Sequence, residues 1–262
     1  MATALKAWLQ GALAKAGYRV VPLDRYRDGL YTAHQEDFRR DPAFKVAYRR
    51  GITASAGVDP GIEWRVATAL WAASTALHTP GDFVECGVNA GFISSAIMRH
   101  TGWAGRDRTF YLIDTFAGPP LDQFSAQEVS TGRRRMAEQA LAQGGYVTDL
   151  ARIQTNYSEW PNVQIVQGTV PEVLSQLPPR PIAFLHIDMN CAYPERAALE
   201  QLWLRMSPGG VVLLDDYAFL GHEIQHAAID KAAALLGVAV LGLPTGQGLM
   251  IKPASLSVID RS

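Results

Sequence analysis

The stretch VAVLGLPTGQGLMIKP, residues 238–253, decides how the chain folds. Two apolar runs, VAVLGLP (238–244) and GLMIKP (248–253), are separated only by Thr245, Gly246 and Gln247. A parallel crossover needs a dozen or more residues, so these runs can pair only as an antiparallel hairpin. Upstream the texture differs. DFVECGV (82–88), TFYLIDTF (109–116), VQIVQG (163–168), IAFLHIDM (182–189) and GGVVLLDDY (209–217) are near-continuously apolar and are spaced by longer segments. That is the pattern of parallel strands covered on both faces. The sequence therefore predicts a doubly wound α/β domain: a mostly parallel seven-stranded sheet that ends in an antiparallel C-terminal hairpin.

Further back the chain reads as helix. Leu5, Trp8, Leu9, Ala12, Leu13 and Ala16 recur at helical spacing, and Gly17 ends the pattern. Residues 61–77 place Ile62, Val66, Ala69, Leu70, Ala73 and Leu77 on one face. Residues 20–59 interleave aromatic and basic side chains and read as short outer helices or a cover over a site. The expected organisation is a helical cover or interface segment over 1–60 and a ligand-binding domain over 61–262. Residues 118–161 form an irregular, lid-like insertion in this reading, with one helical patch near 136–141.

Composition narrows the function. Of 262 residues, 48% are hydrophobic and 19% charged, as in a folded globular protein. Lys and Arg number 24 against 25 Asp and Glu, a net charge of −1, which argues against a surface that coats nucleic acid. Cys86 and Cys191 are too few for a disulfide scaffold or a Cys-only zinc site and are expected to pack as small hydrophobes. No apolar run reaches the roughly 18 residues of a membrane helix. MATALKAWLQGALAKAG, broken by Lys6 and Lys15, lacks the pattern of a signal peptide. A cytoplasmic protein without membrane or nucleic-acid partners is expected.

The candidate site residues all fall at carboxyl ends of predicted strands, where open parallel sheets bind ligands. The first group is Glu85, Gly87, Val88 and Gly91. Here Gly87 permits a sharp turn and Gly91 lets a ligand or the helix approach the backbone. The spacing is G-x-x-x-G rather than the dinucleotide fingerprint G-x-G-x-x-G, and a plain strand-to-helix turn is the alternative. Asp114 ends the second strand, 27 residues after Gly87, where a carboxylate can accept both hydroxyls of a ribose; capping of its own loop is the alternative. Asp188 ends the fourth strand and Asp215 and Asp216 the fifth. Three converging carboxylates repel, which a hard cation such as Mg²⁺ would relieve, unless the aspartates cap helices instead. His186 reads as a buried neutral histidine on the face of Asp188. His222 and His226, four apart, offer a general base or ordinary polar surface. Arg133, Arg134 and Arg135 read as a solvated helix face or as a contact for an anionic substrate.

With these residues assembled, residues 59–253 resemble the class I S-adenosylmethionine-dependent methyltransferases, and more narrowly the macrocin O-methyltransferase family. The matching stretches are GDFVECGVNAGFISSAIM, YLIDTFAGPP, VQGTVPEVL, HIDMNCAYPERAALEQLWLRMSPGGVVLLDDY and LPTGQGLMIKP. The resemblance implies S-adenosylmethionine as cofactor. Glu85, Gly87, Val88 and Gly91 would surround its methionine part, Asp114 with Thr115 and Phe116 its ribose, and Gly168 and Thr169 its adenine. Asp188 would border the cofactor as well. In metal-dependent members the aspartates matching Asp188, Asp215 and Asp216 hold Mg²⁺, and Asp188 is a candidate base beside His222. Two departures stand out: Asn190 replaces an acidic residue of many relatives, and 118–161 lacks the histidine that some relatives use in catalysis. The implied reaction is O-methylation of a hydroxylated small molecule, a sugar or polyketide-like acceptor, by a homo-oligomer with aromatic N-terminal helices at Trp8 and Trp64. A nicotinamide-dependent oxidoreductase and a non-catalytic nucleoside-binding module are the rival readings.

Overall fold

The computed structural model describes residues 2–18, 26–32 and 34–254. The elements are α1 (Ala2–Lys15), β1 (Tyr26–Arg27), β2 (Leu30–Tyr31), α2 (Pro42–Ala54), α3 (Glu63–Ala76), β3 (Asp82–Cys86), α4 (Phe92–Thr101) and β4 (Phe110–Asp114). They continue with α5 (Ala126–Ser130), α6 (Arg133–Ala142), α7 (Leu150–Tyr157), β5 (Val163–Gln167), β6 (Ile182–Ile187), α8 (Ala192–Trp203), β7 (Met206–Leu214), α9 (Glu223–Leu235), β8 (Leu241–Gly242) and β9 (Gly248–Ile251). The seven-stranded sheet has the order β5-β4-β3-β6-β7-β9-β8. The first five of these are parallel, and β9 runs antiparallel to both β7 and β8. The expected sheet and its C-terminal hairpin are both present.

Every residue of β3 and β6 is buried, as a strand covered on both faces requires. The alternating side chains divide between two cores. Phe83, Phe110, Leu112 and Phe184 join the layer formed by α2, α3 and α4. Val84, Tyr111, Ile113 and Leu185 join the layer of α8 and α9. Burying one large apolar side chain such as Phe83 or Leu112 stabilises the fold by about 2–3 kcal/mol.

Three sequence expectations change. Residues 118–161 are not irregular: α5, α6 and α7 lie within them. A capping box at Ser125 and Glu128 starts α5, and Asp149 caps α7, whose Ile153 and Tyr157 turn into the core. Residues 20–59 contain the β1–β2 hairpin as well as helix, and α2 belongs to the main core through Phe44, Ala47 and Tyr48. Trp64 itself is turned inward, its indole donating to Glu36 (3.1 Å) and packing edge-on against Phe38, and Trp71 is the exposed aromatic of α3. Trp8 is 68% exposed on α1.

Candidate functional site

Register builds the site. Cys86 of β3 pairs with Ile113 of β4 and Ile187 of β6, and Ile187 pairs with Leu214 of β7. The next residue on each strand is therefore Gly87, Asp114, Asp188 and Asp215, aligned in one row along the carboxyl edge. The chain lays down β3, β4 and β5 in one direction and then returns to place β6 on the other side of β3. That reversal is the switch point at which such sheets bind ligands. A cleft with about 670 Å³ of empty space lies there, bordered by Gly87, Asp114, Tyr146, Gly168, Val170 and Asp188.

At its β4 end the cleft has a carboxylate held by backbone. Asp114 Oδ2 accepts the amides of Val88 (2.7 Å) and Asn89 (2.9 Å), and Oδ1 accepts that of Phe116 (2.8 Å). Asp114 thus fixes the β3–α4 turn as well as facing the cleft. The two glycines of this turn are required by the protein itself. A Cβ on Gly87 would collide with the backbone carbonyl of Asp188, and one on Gly91 with the hydroxyl of Tyr157 from α7.

At the other end the carboxylates are held by side chains. Asp215 Oδ2 accepts from Arg65 Nη1 (2.8 Å), and Oδ1 accepts from Gln247 Nε2 (2.9 Å). The hairpin explains Gln247: β9 pairs Gly248 with Leu214, which sets the preceding residue beside Asp215. Arg65 also grips Asp28 of the β1–β2 hairpin, through Nε (2.5 Å) and Nη2 (3.0 Å). His186 Nδ1 lies 2.9 Å from Glu85 Oε1, and its Nε2 lies 3.7 Å from Asp215 Oδ1, a charge contact longer than a hydrogen bond. A charged file Glu85–His186–Asp215–Arg65–Asp28 thus crosses the sheet edge.

The titration of these groups follows from burial and neighbours. Burial alone would discharge His186, but Asp215 and Glu85 outweigh it and push its pKa up to about 10. His186 is therefore a cation rather than the neutral histidine expected. Burial opposes ionisation of Asp215 too, yet His186 and Arg65 hold it well below the usual carboxylate range. Asp188 has no cation bonded to it; burial and then the negative Asp215 and Asp216 raise it well above that range. Burial and Asp215 push Asp216 up to about 7. His222 faces Asp216 at 3.4 Å, but burial and the charge of Arg133 push it down to about 4, so it is neutral.

The turn that carries Asp188 is fixed from two sides. Glu195 Oε1 accepts the amides of Met189 (3.0 Å) and Asn190 (2.8 Å) and a bond from Gln225 (3.1 Å). Glu128 of α5, 1% exposed, accepts the amide of Ala192 (2.9 Å) and so ties the 118–161 segment to the same turn. Asn190 Nδ2 donates to Asp188 Oδ1 (3.2 Å), which orients the carboxylate.

The three aspartates converge, as their mutual electrostatics show, but they do not form the expected ion site. Among the described residues no group of three His, Cys, Asp or Glu is placed to hold a metal. Both oxygens of Asp215 are already bonded to Arg65 and Gln247, and the cations Arg65 and His186 supply the compensation that an ion was expected to bring.

Of the sequence-predicted residues, Gly87, Asp114, Thr115, Gly168 and Asp188 border the cleft. Glu85 is 2% exposed and turned to His186; Val88 and Phe116 are buried and contribute their amides to Asp114. Gly91 starts α4 beneath Tyr157, and neither Thr169 nor His222 borders the cleft. His226 stacks on Tyr217 and donates no group to the site. The sequence reading missed Tyr146, Gln123 and Arg65. Tyr146 follows Gly144 and Gly145, a turn signal inside the segment expected to be irregular; Arg65 carried no signal beyond its helix.

A family model for macrocin O-methyltransferases (TylF) matches residues 69–233. A tetracenomycin 4'-O-methyltransferase of Streptomyces olivaceus, specific in name for an 8-demethyl-8-(2,3-dimethoxy-alpha-L-rhamnosyl) compound, is 30% identical over 145 residues, 53% of this chain and 54% of that protein. Mycinamicin III 3''-O-methyltransferase of Micromonospora griseorubida is 28% identical over 147 residues, 53% of this chain and 56% of that protein. The chain spans about half the length of the curated relatives it matches. The solved O-methyltransferase NovP superposes with a TM-score of 0.63 at 20% identity, over 84% of this chain and 100% of its own. The calicheamicin methyltransferase CalS11 superposes with a TM-score of 0.52 at 16% identity, over 85% and 99%. These two likenesses show the shared fold.

Proposed function

The chain belongs to the macrocin O-methyltransferase family, and we propose that it transfers a methyl group from S-adenosylmethionine to a hydroxyl of a sugar or other natural-product acceptor. One observation carries this reading. Asp114 and Asp188, on either side of Gly87 in the row of strand ends, border the same cleft.

The cofactor fits the β4 end. Gly87, Gly118 and Gly168 leave the wall free of side chains, Pro119 and Val170 give an apolar surface for a flat base, and Asp114 presents a carboxylate to hydroxyls. When bound, S-adenosylmethionine supplies an electrophilic methyl on a cationic sulfur. What the chain must add is alignment and a place for the acceptor's proton. An unactivated hydroxyl is a poor nucleophile at neutral pH, and Asp188 is the group to receive its proton. Burial and like charge make Asp188 a stronger base than an ordinary carboxylate, and Asn190 and Glu195 fix its direction. His186 and Arg65 keep Asp215 ionised, so that Asp215 sustains the negative field around Asp188.

Arg65 and Gln247 each bond one oxygen of Asp215 and would compete with Mg²⁺ there, so the ion is given no role in this mechanism. The β1–β2 hairpin acts in this proposal as a cover, with Asp28 drawn onto Arg65 at the acceptor end. Exposed Leu5, Trp8 and Leu9 of α1 support a homo-oligomer. No helix among the described residues is long and apolar enough to cross a membrane.

Isothermal calorimetry with S-adenosylhomocysteine, and transfer of labelled methyl from S-adenosylmethionine to hydroxylated glycosides, test the reading. Binding of the nucleoside and label in an ether product are expected. Heat with NAD and none with S-adenosylhomocysteine would replace it with the oxidoreductase.

A further inference from the structure

Asn89 occupies the centre of the β3–α4 turn with φ 48°, a left-handed conformation that asparagine tolerates better than most residues. Its backbone and side chain act in different directions. The backbone amide donates to Asp114 Oδ2 (2.9 Å). The carboxamide reaches across the cleft to the segment between α6 and α7. There Oδ1 accepts the amide of Val147 (2.9 Å), and Nδ2 donates to the carbonyl of Gly145 (3.1 Å). The residue between those two contacts is Tyr146.

Tyr146 borders the cleft together with Asn89, Asp114 and Asp188. Its hydroxyl has no hydrogen-bond partner among the described residues. Burial raises its pKa, and of the charged groups around it Asp188 acts on it most strongly and Asp114 least. The phenol is thus protonated, in the cleft that Asp188 also borders. A half-buried, unsatisfied donor at that place is suited to an oxygen of a bound acceptor.

We propose that Asn89 is a positioning residue that couples the two ends of the cleft: filling of the Asp114 end fixes Tyr146 over the acceptor end. The inference rests on the methyltransferase reading of the site. The physical basis is continuity. Asp114 and Tyr146 are joined through one residue, with bonded contacts on both sides. A ligand on Asp114 restrains Asn89, and Asn89 restrains the two peptide groups that flank Tyr146. The expected order of binding is cofactor first, acceptor second.

Hydrogen exchange of the peptide containing Val147, with and without saturating S-adenosylhomocysteine, reads this coupling directly and needs no acceptor. In the wild type, exchange of that peptide should slow about tenfold when the nucleoside binds. Asn89→Gly keeps the backbone amide and suits φ 48°, but lacks the carboxamide. It should bind S-adenosylhomocysteine within about threefold of wild type and show no more than a twofold change in exchange. Asn89→Asp, which retains the acceptor for Val147, should recover part of the response. A full response in Asn89→Gly, or none in a wild type that binds the nucleoside, would overturn the coupling alone. Failure of Asn89→Gly to bind would also overturn it, because Asn89 would then serve the Asp114 end itself. Failure of the wild type to bind would bring down the methyltransferase reading together with it.

Discussion

At the β4 end of the cleft a carboxylate is satisfied by three backbone amides, all from the turns beside it. At the β6–β7 end a carboxylate of the same row is satisfied by side chains from α3 and the last hairpin, 150 and 32 residues away. The first arrangement tolerates changes of side chain and suits a constant partner. The second concentrates charge: Asp188, Asp215, Asp216 and Glu195 stand against Arg65 and His186, and the balance shifts with every substitution. In the proposed mechanism the chemistry belongs at the second end, where Asp188 has no bonded cation among the described residues and is made more basic by burial and its neighbours.

The largest effect should come from removing that carboxylate. Asp188→Asn should lower kcat by roughly 10²–10⁴, the usual share of general-base catalysis. Its affinity for S-adenosylhomocysteine should stay within about threefold, since the Asp114 end is untouched. Equal losses of turnover and nucleoside binding would erase the distinction between the ends.

Arg65→Ala leaves two carboxylates, Asp28 and Asp215, facing each other without their cation. Breaking a largely buried ion pair costs about 3–5 kcal/mol, reduced here because Arg65 is partly solvated, so about 3 kcal/mol is expected in urea unfolding. A loss below about 0.5 kcal/mol would mean that the charged file does not hold the acceptor end together.

The pH profile sharpens the comparison. Asp188 works unprotonated and its pKa is raised, so kcat falls as pH drops through that raised value, well above the ordinary carboxylate range. Asp216→Asn removes one negative neighbour and should move this acidic limb to lower pH. Rate measurements from pH 5 to 9 under saturating substrates decide it. A limb that stays in place would assign it to another group.

Tyr146→Phe removes one hydrogen-bond donor from the acceptor end and should raise the acceptor KM about tenfold, in keeping with a net bond of about 1–1.5 kcal/mol. Here kcat should change by less than about threefold. The smallest effect is expected from chelation. Dialysis against EDTA should alter turnover by less than about twofold, since Arg65 and Gln247 hold both oxygens of Asp215. A loss restored by Mg²⁺ would overturn the metal-free mechanism.

The Asp114 end was largely legible in the chain. A glycine turn after one apolar run and an aspartate at the end of the next are local features, and adjacent parallel strands bring them together. Even so, Gly91 makes room for Tyr157, a contact between α4 and α7 that spacing does not reveal. The acceptor end was legible only as a list of aspartates. Their convergence followed from neighbouring strands; the cations that balance them did not, since His186 reads as neutral until Glu85 and Asp215 are placed beside it. Tyr146 stands between α6 and α7, outside either helix, where no periodic pattern marks it.

What the sequence determined by itself was the sheet: apolar runs of strand length, their spacing, and a three-residue link too short for anything but a hairpin. Those are properties of near neighbours and of the chain's reach. What only the tertiary structure decided was which charges meet. The same Thr245-Gly246-Gln247 link that reveals the topology also places Gln247 on Asp215, and Arg65 arrives from a helix that pattern alone marks as ordinary. Ionisation in a buried site depends on the distances between groups remote in sequence, and those distances exist only once the sheet and its covering helices are packed.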